Sequence, residues 1–320
     1  MTMPIFDLHC DLLSYLEQDI RRTPYDLDLS CGYNSFKKGG VKWQLLAIFT
    51  ETNDKSTLSG MKQCQLYQDL LTLPHFCSFN SEKGQSDKDT VCIKAAVENA
   101  SGFFEEDEPI NQGLMRFNDA NQRVGGFAYV SLTWNGGNRF GGGCGDNRPL
   151  TNDGKILINY LADTGIAIDL SHTSDALLDS IMNYIDTYQI RCKLLASHSN
   201  MRSINDSIRN LPDRSVKEII RRDGLMGINL FRQFIGNHPD RILDHVKHAL
   251  DMGALNHLSF GADFFHAPDH PRLGDNKLFF DKLSDASCYP HLIDQFKNKL
   301  VMSDEDIKLL AYQNALKFFS

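Results

Sequence analysis

His9-Cys10-Asp11 puts an imidazole and a carboxylate two residues apart. On an extended segment both point the same way, while Cys10 points back. Such a pair suits a borderline cation such as Zn2+. Asp169-Leu170-Ser171-His172 and Ala196-Ser197-His198-Ser199 are two further apolar runs that end in Ser-His. One histidine of this kind is commonly a half-buried ring bonded to backbone; two of them beside His9 and Asp11 weigh towards metal ligands. Glu98 ends the run Val91–Glu98. It is the carboxylate placed to bridge two close cations, whose repulsion needs an anion between them. Asp263, in Gly261-Ala262-Asp263, is placed to orient an attacking water and to move its proton. The chemistry expected is metal-assisted hydrolysis, in which cations lower the pKa of water to about 7 and polarise a carbonyl.

Something must bring these residues to one place. Short apolar, β-branched runs predict strands over Pro4–His9, Val41–Thr50, Thr90–Glu98, Gly126–Thr133, Gly165–Leu170, Lys193–Ser197, Gly224–Leu230 and Leu258–Ala262. Several are too uniformly apolar to alternate, which suits parallel strands buried on both faces. Helices are predicted between them over Leu58–Leu73, Asn111–Arg123, Thr151–Ala162, Ser174–Tyr188, Pro212–Arg222, Pro239–Met252 and Ser303–Phe318, and Cys31–Gly40 reads as loop. Strands alternating with helices predict an α/β fold, a closed (β/α)8 TIM barrel occupying residues 1–320 as a single domain. The candidate ligands fall just past the carboxyl ends of their strands, where barrels of this kind carry their catalytic groups.

The formal net charge of −8 leaves no basic stripe for nucleic acid. No apolar run approaches the roughly 18 to 20 residues that cross a bilayer, and Met1–Asp11 has no signal-peptide pattern. Eight scattered cysteines without a Cys-x-x-Cys pair read as reduced thiols of a cytoplasmic protein.

Asp7-Leu8-His9-Cys10-Asp11-Leu12, the strand into Glu98, Ser131-Leu132-Thr133, Asp169–Ser174, Ser197-His198-Ser199, Arg209-Asn210-Leu211-Pro212-Asp213 and Gly261-Ala262-Asp263-Phe264 together resemble the membrane (renal) dipeptidase family. These are binuclear zinc peptidases of the amidohydrolase superfamily, and order and spacing agree from residue 5 to 318. The resemblance implies two Zn2+ ions, one on His9 and Asp11, the other on His172 and His198, with Glu98 between them. It implies that Asp263 handles the proton and that Arg209 holds the free carboxylate of a dipeptide, a task that suits a guanidinium fork. It allows a homodimer.

The mammalian form of the family reads Leu-Thr-His where this chain has Leu132-Thr133-Trp134. Trp134 would instead wall the substrate pocket or donate its indole N–H. Phe231 and Phe265 stand where an aromatic hydroxyl and an acidic residue are expected. A related amidohydrolase acting on another small amide, lactam or ester is the alternative reading. Gly141–Gly145 lacks the Gly-Lys-Ser/Thr of a nucleotide loop and reads as a mobile active-site loop. His245 and His248 are expected on a solvated helix face, His266 and His270 in a loop near the mouth, and Lys37-Lys38 and Arg221-Arg222 as solvated charge.

Overall fold

The computed structural model describes residues 3–270 and 277–320. Nine strands form one sheet: β1 (Ile5–Cys10), β2 (Val41–Phe49), β3 (Phe76–Ser78), β4 (Val91–Glu98), β5 (Tyr129–Ser131), β6 (Ala167–Asp169), β7 (Leu194–Ala196), β8 (Leu225–Ile228) and β9 (Leu258–Phe260). Every pairing is parallel, and β2 joins both β1 and β4 while β9 joins β1, so eight strands close into a barrel. The ninth, β3, was not predicted. It lies outside the ring beside the first half of β4, with Cys77 opposite Cys92, and β5 takes over that edge at Val97.

Two apolar layers follow from the two-residue period of the strands. Phe6, Leu8, Trp43, Leu45, Cys92, Ala96, Tyr129, Ala167, Leu195 and Leu225 fill the barrel interior with Ala315 and Phe318. The alternate positions, among them Ile48, Ile93, Val97, Val130 and Ile168, face the helices in the larger cluster. Burying one such aliphatic or aromatic side chain contributes about 1.5–3 kcal/mol. Two residues further along the interior face the same strands turn polar: Ala96 is followed by Glu98, Tyr129 by Ser131, Ala167 by Asp169 and Leu195 by Ser197. The candidate site therefore sits on top of a packed apolar plug.

The helices that match expectation include α3 (Ser56–Leu70), α5 (Ile110–Arg123), α6 (Asn152–Thr164), α7 (Asp175–Tyr188), α8 (Asp213–Arg221) and α10 (Arg241–Asp251). Thr151 and Ser174 cap α6 and α7 by accepting from Gly154 N and Leu177 N. A Ser303–Asp306 capping box starts the closing segment, which is α12 (Asp304–Lys308), a π turn over Leu309–Gln313 and α13 (Asn314–Phe319) rather than one helix. The stretch expected as loop contains α2 (Tyr33–Gly39), which buries Tyr33 and Phe36 and ends on left-handed Gly40. α1 (Leu12–Gln18), α4 (Glu82–Ser86), α9 (Arg232–Ile235) and α11 (Tyr289–Lys299) are the other α-helices among the described residues.

The face expected to be solvated on α10 is corrected. His245 is fully buried, accepting from Met201 N at 3.1 Å and bonded to Ile235 O at 3.1 Å, because it shares a face with Ile242, Val246 and Ala249. His248 is half-buried against Asp213, and Arg222 packs partly buried on Asp186. Lys37 pairs with Asp89 at the exposed surface. No described helix is long and apolar enough to cross a membrane, and all eight cysteines are free thiols.

Candidate metal centre

A slip in strand register aims the first candidate ligand. Between Asp7, opposite Gln44, and Cys10, opposite Leu46, β1 advances three residues while β2 advances two. Such bulges re-aim side chains next to functional sites. Here the slip turns His9 into the barrel after Phe6 and Leu8 have already faced inward. Buried Asp7 holds the bend, accepting from His9 N at 2.8 Å and from Ala262 N at 3.2 Å, and bonding Tyr289. Asp169 does the same across three strands, accepting from Ser131 Oγ, Ser197 Oγ, Ser171 N and Ser197 N.

Three residues at strand ends have left-handed backbones: Asn99 (φ 73°), His172 (φ 69°) and Asp263 (φ 64°). Residues other than glycine in such conformations cost about 1–3 kcal/mol each and cluster at functional sites. The close approach of neighbouring strands is kept by Gly227 and Gly261, where an added Cβ would lie 1.9 Å from Ser197 O in each case.

The five expected ligands come together. Glu98 Oε2 lies 3.2 Å from His9 Nε2, while Oε1 lies 2.8 Å from His172 Nε2 and 3.8 Å from His198 Nε2. Its two oxygens thus face two different histidine groups, as a bridging carboxylate must. Asp11 Oδ1 is 3.9 Å from His9 Nε2, and Asp263 Oδ1 is 3.8 Å from the same nitrogen. Ligand atoms within 4.8 Å of one another form the sets His9–Asp11–Glu98, Glu98–His172–His198 and His9–His198–Asp263. Asp263, expected to handle a proton, therefore also stands within reach of a cation.

The hydrogen-bond network assigns the tautomers. Tyr129 OH donates to Leu8 O at 3.0 Å, so its oxygen accepts from His9 Nδ1 at 2.7 Å. Asn135 Oδ1 accepts from His172 Nδ1 at 2.9 Å. Ser197 Oγ gives its proton to Asp169 and accepts from His198 Nδ1 at 2.7 Å. All three Nε2 lone pairs are thereby left for the centre of the site, the arrangement that outer partners impose on metal-binding histidines. His9 Nε2 and Asp11 Oδ1 are buried without a hydrogen-bond partner among the described residues, the approach of His9 to Glu98 not having directed hydrogen-bond geometry. Buried polar atoms left this way cost about 1–3 kcal/mol each unless something else satisfies them.

The electrostatics ask for positive charge. Burial works against a charged His9, but Glu98, Asp11 and Asp263 outweigh it and lift the imidazole pKa to about 10. Burial likewise pushes Glu98 up, yet the His9 charge and the close approach of His172 hold it below the usual carboxylate range. His172 and His198 are lowered, chiefly by burial, His172 to about 4. Burial raises Asp263 to about 6 against the pull of His9. A proton on His9 stands where a cation would neutralise the carboxylates. The residues present fit a metal centre.

Arg209 and Trp134 also reach the site. Both line a cavity of about 340 Å3 with Asp11, Glu98, His172 and Asp263. Arg209 is 8% exposed, with Nε and Nη2 unpartnered among the described residues. Trp134 stands over His172, ring centroids 6.2 Å apart, and packs edge-on against Phe49 at 5.1 Å. His270 lines the same cavity, whereas His266 faces Asp269 and Asp28. Cys144 and Gly145 line it too, and the glycine run is stitched by Gly142 N to Arg148 O and Gly143 N to Gly136 O. Asn135, Tyr129, Ser197 and Asn229 were missed because amides and hydroxyls carry no spacing signature. Asn229 follows β8, donating to Asp263 Oδ2 at 2.9 Å and to His198 O at 3.1 Å.

The model of one protein family, the membrane dipeptidases (peptidase family M19), matches residues 1–320. The chain belongs to that family. An uncharacterized dipeptidase of Schizosaccharomyces pombe is 26% identical over 177 residues, 52% of this chain and 40% of its own length. The chain thus spans less than half of that relative. A metallo peptidase from Rhodobacter sphaeroides, solved with a phosphinate mimic of the dipeptide L-Ala-D-Ala, superposes with a TM-score of 0.83 at 17% identity, covering 100% of this chain and 99% of the other. The dipeptidase AC, a metallo peptidase of family M19, gives 0.83 at 19% identity over 100% and 98%. At these identities the superpositions carry the fold, and this M19 member shares it end to end.

Proposed function

We propose that the chain is a metal-dependent dipeptidase that holds two Zn2+ ions, with His9 and Asp11 on one, His172 and His198 on the other, and Glu98 shared. The observation that carries this reading is the convergence of three tautomer-locked Nε2 atoms on the two oxygens of one buried carboxylate. Mixed imidazole and carboxylate donors suit zinc. When bound, the metals supply an acidified water and polarisation of the amide carbonyl.

The chain's own residues do the rest. Arg209, whose guanidinium lines the cavity, receives the carboxylate of the substrate. That contact sets the scissile amide beside Glu98 and His172 across the same cavity. Asp263 Oδ1 takes a proton from the attacking water and passes it to the departing amine, while Asn229 fixes Oδ2. Trp134 and Phe49 close the side of the cavity next to His172 against bulk water.

A panel of L,L- and L,D-dipeptides, N-acylated amino acids, a lactam and a phosphoester, assayed with the zinc-loaded chain, tests the assignment. Release of both amino acids from dipeptides, at least about 100-fold faster than turnover of the other classes, is expected. Faster turnover of the lactam or ester would move the chain to the alternative amidohydrolase reading.

A further inference from the structure

Resting on the dipeptidase reading, the composition of the cavity wall says which dipeptides fit. The charged lining groups already have tasks: Asp11, Glu98 and His172 at the metals, Asp263 with the proton, Arg209 with the carboxylate. His270 is pushed below its ordinary pKa by burial and is neutral at neutral pH. Asn135 Oδ1 accepts from His172 Nδ1 and from Cys144 Sγ. Most of what remains among the described lining residues is apolar, Phe49, Trp134, Ile208, Phe231, Phe234 and Phe265, with Ser207 and Gln233 the uncharged polar exceptions.

This wall has two parts. Arg209 lies with its guanidinium carbon 5.2 Å from the centre of the Phe234 ring, and Phe234 packs on Phe231 at 4.9 Å. A residue whose carboxylate is held by Arg209 has its side chain against these rings. In the same cavity Trp134 and Phe49 pack together beside His172. The residue on the other side of the scissile amide meets that surface.

We propose that this chain selects dipeptides with large uncharged side chains at both positions, Trp134 with Phe49 receiving the amino-terminal residue and Phe231 with Phe234 the carboxyl-terminal one. Apolar side chains leave water for an apolar surface. A charged side chain is desolvated there with no uncommitted charged group among the described lining residues to pair with it. Trp134 is thereby a specificity-determining residue.

The test is kcat/KM, the quantity that reports discrimination, on the zinc-loaded full chain. The substrates are Leu-Leu, Phe-Leu, Gly-Leu, Leu-Gly, Asp-Leu, Lys-Leu, Leu-Asp and Leu-Lys of one stereochemical series. Leu-Leu and Phe-Leu should exceed the glycyl substrates by at least about tenfold and the charged ones by about 100-fold. Trp134→Ala should erode the preference at the first position alone, and Phe234→Ala that at the second, with metal content and circular dichroism verifying that each variant is folded and loaded. Charged dipeptides cleaved as fast as Leu-Leu, or variants that slow every substrate equally, would overturn the selection while leaving the dipeptidase reading in place. If no dipeptide is cleaved, both fall together.

Discussion

His172 and His198 face each other through Nε2 atoms 2.8 Å apart, and the Nδ1 of each ring is already held by an acceptor, Asn135 Oδ1 and Ser197 Oγ. Two ring nitrogens this close, each with its proton on the far side of the ring, hold lone pairs that repel unless a cation lies with them. Glu98 Oε1 beside them adds negative charge to the same spot. The pair fits a metal-binding site.

The acceptors behind the histidines should therefore govern metal affinity. Tyr129→Phe removes the oxygen that fixes His9, and Asn135→Ala removes the one that fixes His172. Each should weaken zinc binding by about 10- to 100-fold in competition with a chelator. Asn135→Asp keeps an acceptor oxygen and should recover most of the loss. Unchanged affinity in both deletion variants would free these residues of that role.

Asp263 and its support divide differently. Asp263→Asn should keep most of the bound metal, since His9 and His198 retain their other partners, and should lower kcat by about 10^2- to 10^4-fold. Asn229→Ala, which releases Asp263 Oδ2, should lower kcat less and leave KM nearly unchanged. Near-native turnover by Asp263→Asn would remove the carboxylate from proton transfer.

Arg209 carries a stability cost in the free protein. It is buried, with Nε and Nη2 unpartnered among the described residues. Arg209→Met should raise the stability of the substrate-free chain by about 1 kcal/mol. KM should rise for free dipeptides far more than for the same dipeptides with an amidated carboxyl end. Loss of stability instead would mean that the guanidinium is satisfied where it lies.

Away from the centre, His245 sets a pH dependence. Its Nδ1 accepts from Met201 N, so the folded protein holds the ring neutral. Burial is the main cause of its lowered pKa, about 4 against an ordinary 6.5. The unfolded chain takes up the proton first, so the contribution is fully present above about 6.5 and is lost as pH falls from there towards 4. The loss reaches about 3 kcal/mol, at 1.36 kcal/mol per pH unit. Thermal unfolding followed from pH 7 to 4 should fall less steeply for His245→Gln than for the wild type. Parallel curves would contradict the buried neutral ring.

Much of this arrangement was legible in the residue order, for a physical reason. A barrel strand buried on both faces is an apolar run, and a ligand at its end is among the first polar residues that close that run. Glu98, His172 and His198 are all of this kind. β3 escaped because three residues, Phe76–Ser78, are too few to show a period. α2 escaped because its lysines and glycines mask it, although Tyr33 and Phe36 lie three apart and Gly40 follows as a helix stop. His245 lies one turn from Ile242 and from Ala249, a spacing that places it on the buried face. The β1 bulge and the left-handed turns at His172 and Asp263 are set by tertiary closure, and no local signal marks them.

Metal stoichiometry measured by elemental analysis alongside dipeptide hydrolysis, for the wild-type chain and Glu98→Gln, tests the central claim most directly. The wild type should hold two zinc ions and cleave dipeptides, and removing them with a chelator should stop cleavage until zinc is restored. Glu98→Gln, which weakens the shared anionic ligand, should hold at most one ion and lose hydrolysis with it. A metal-free wild type that cleaves dipeptides, or a Glu98→Gln chain that keeps two ions at undiminished affinity, would contradict the account.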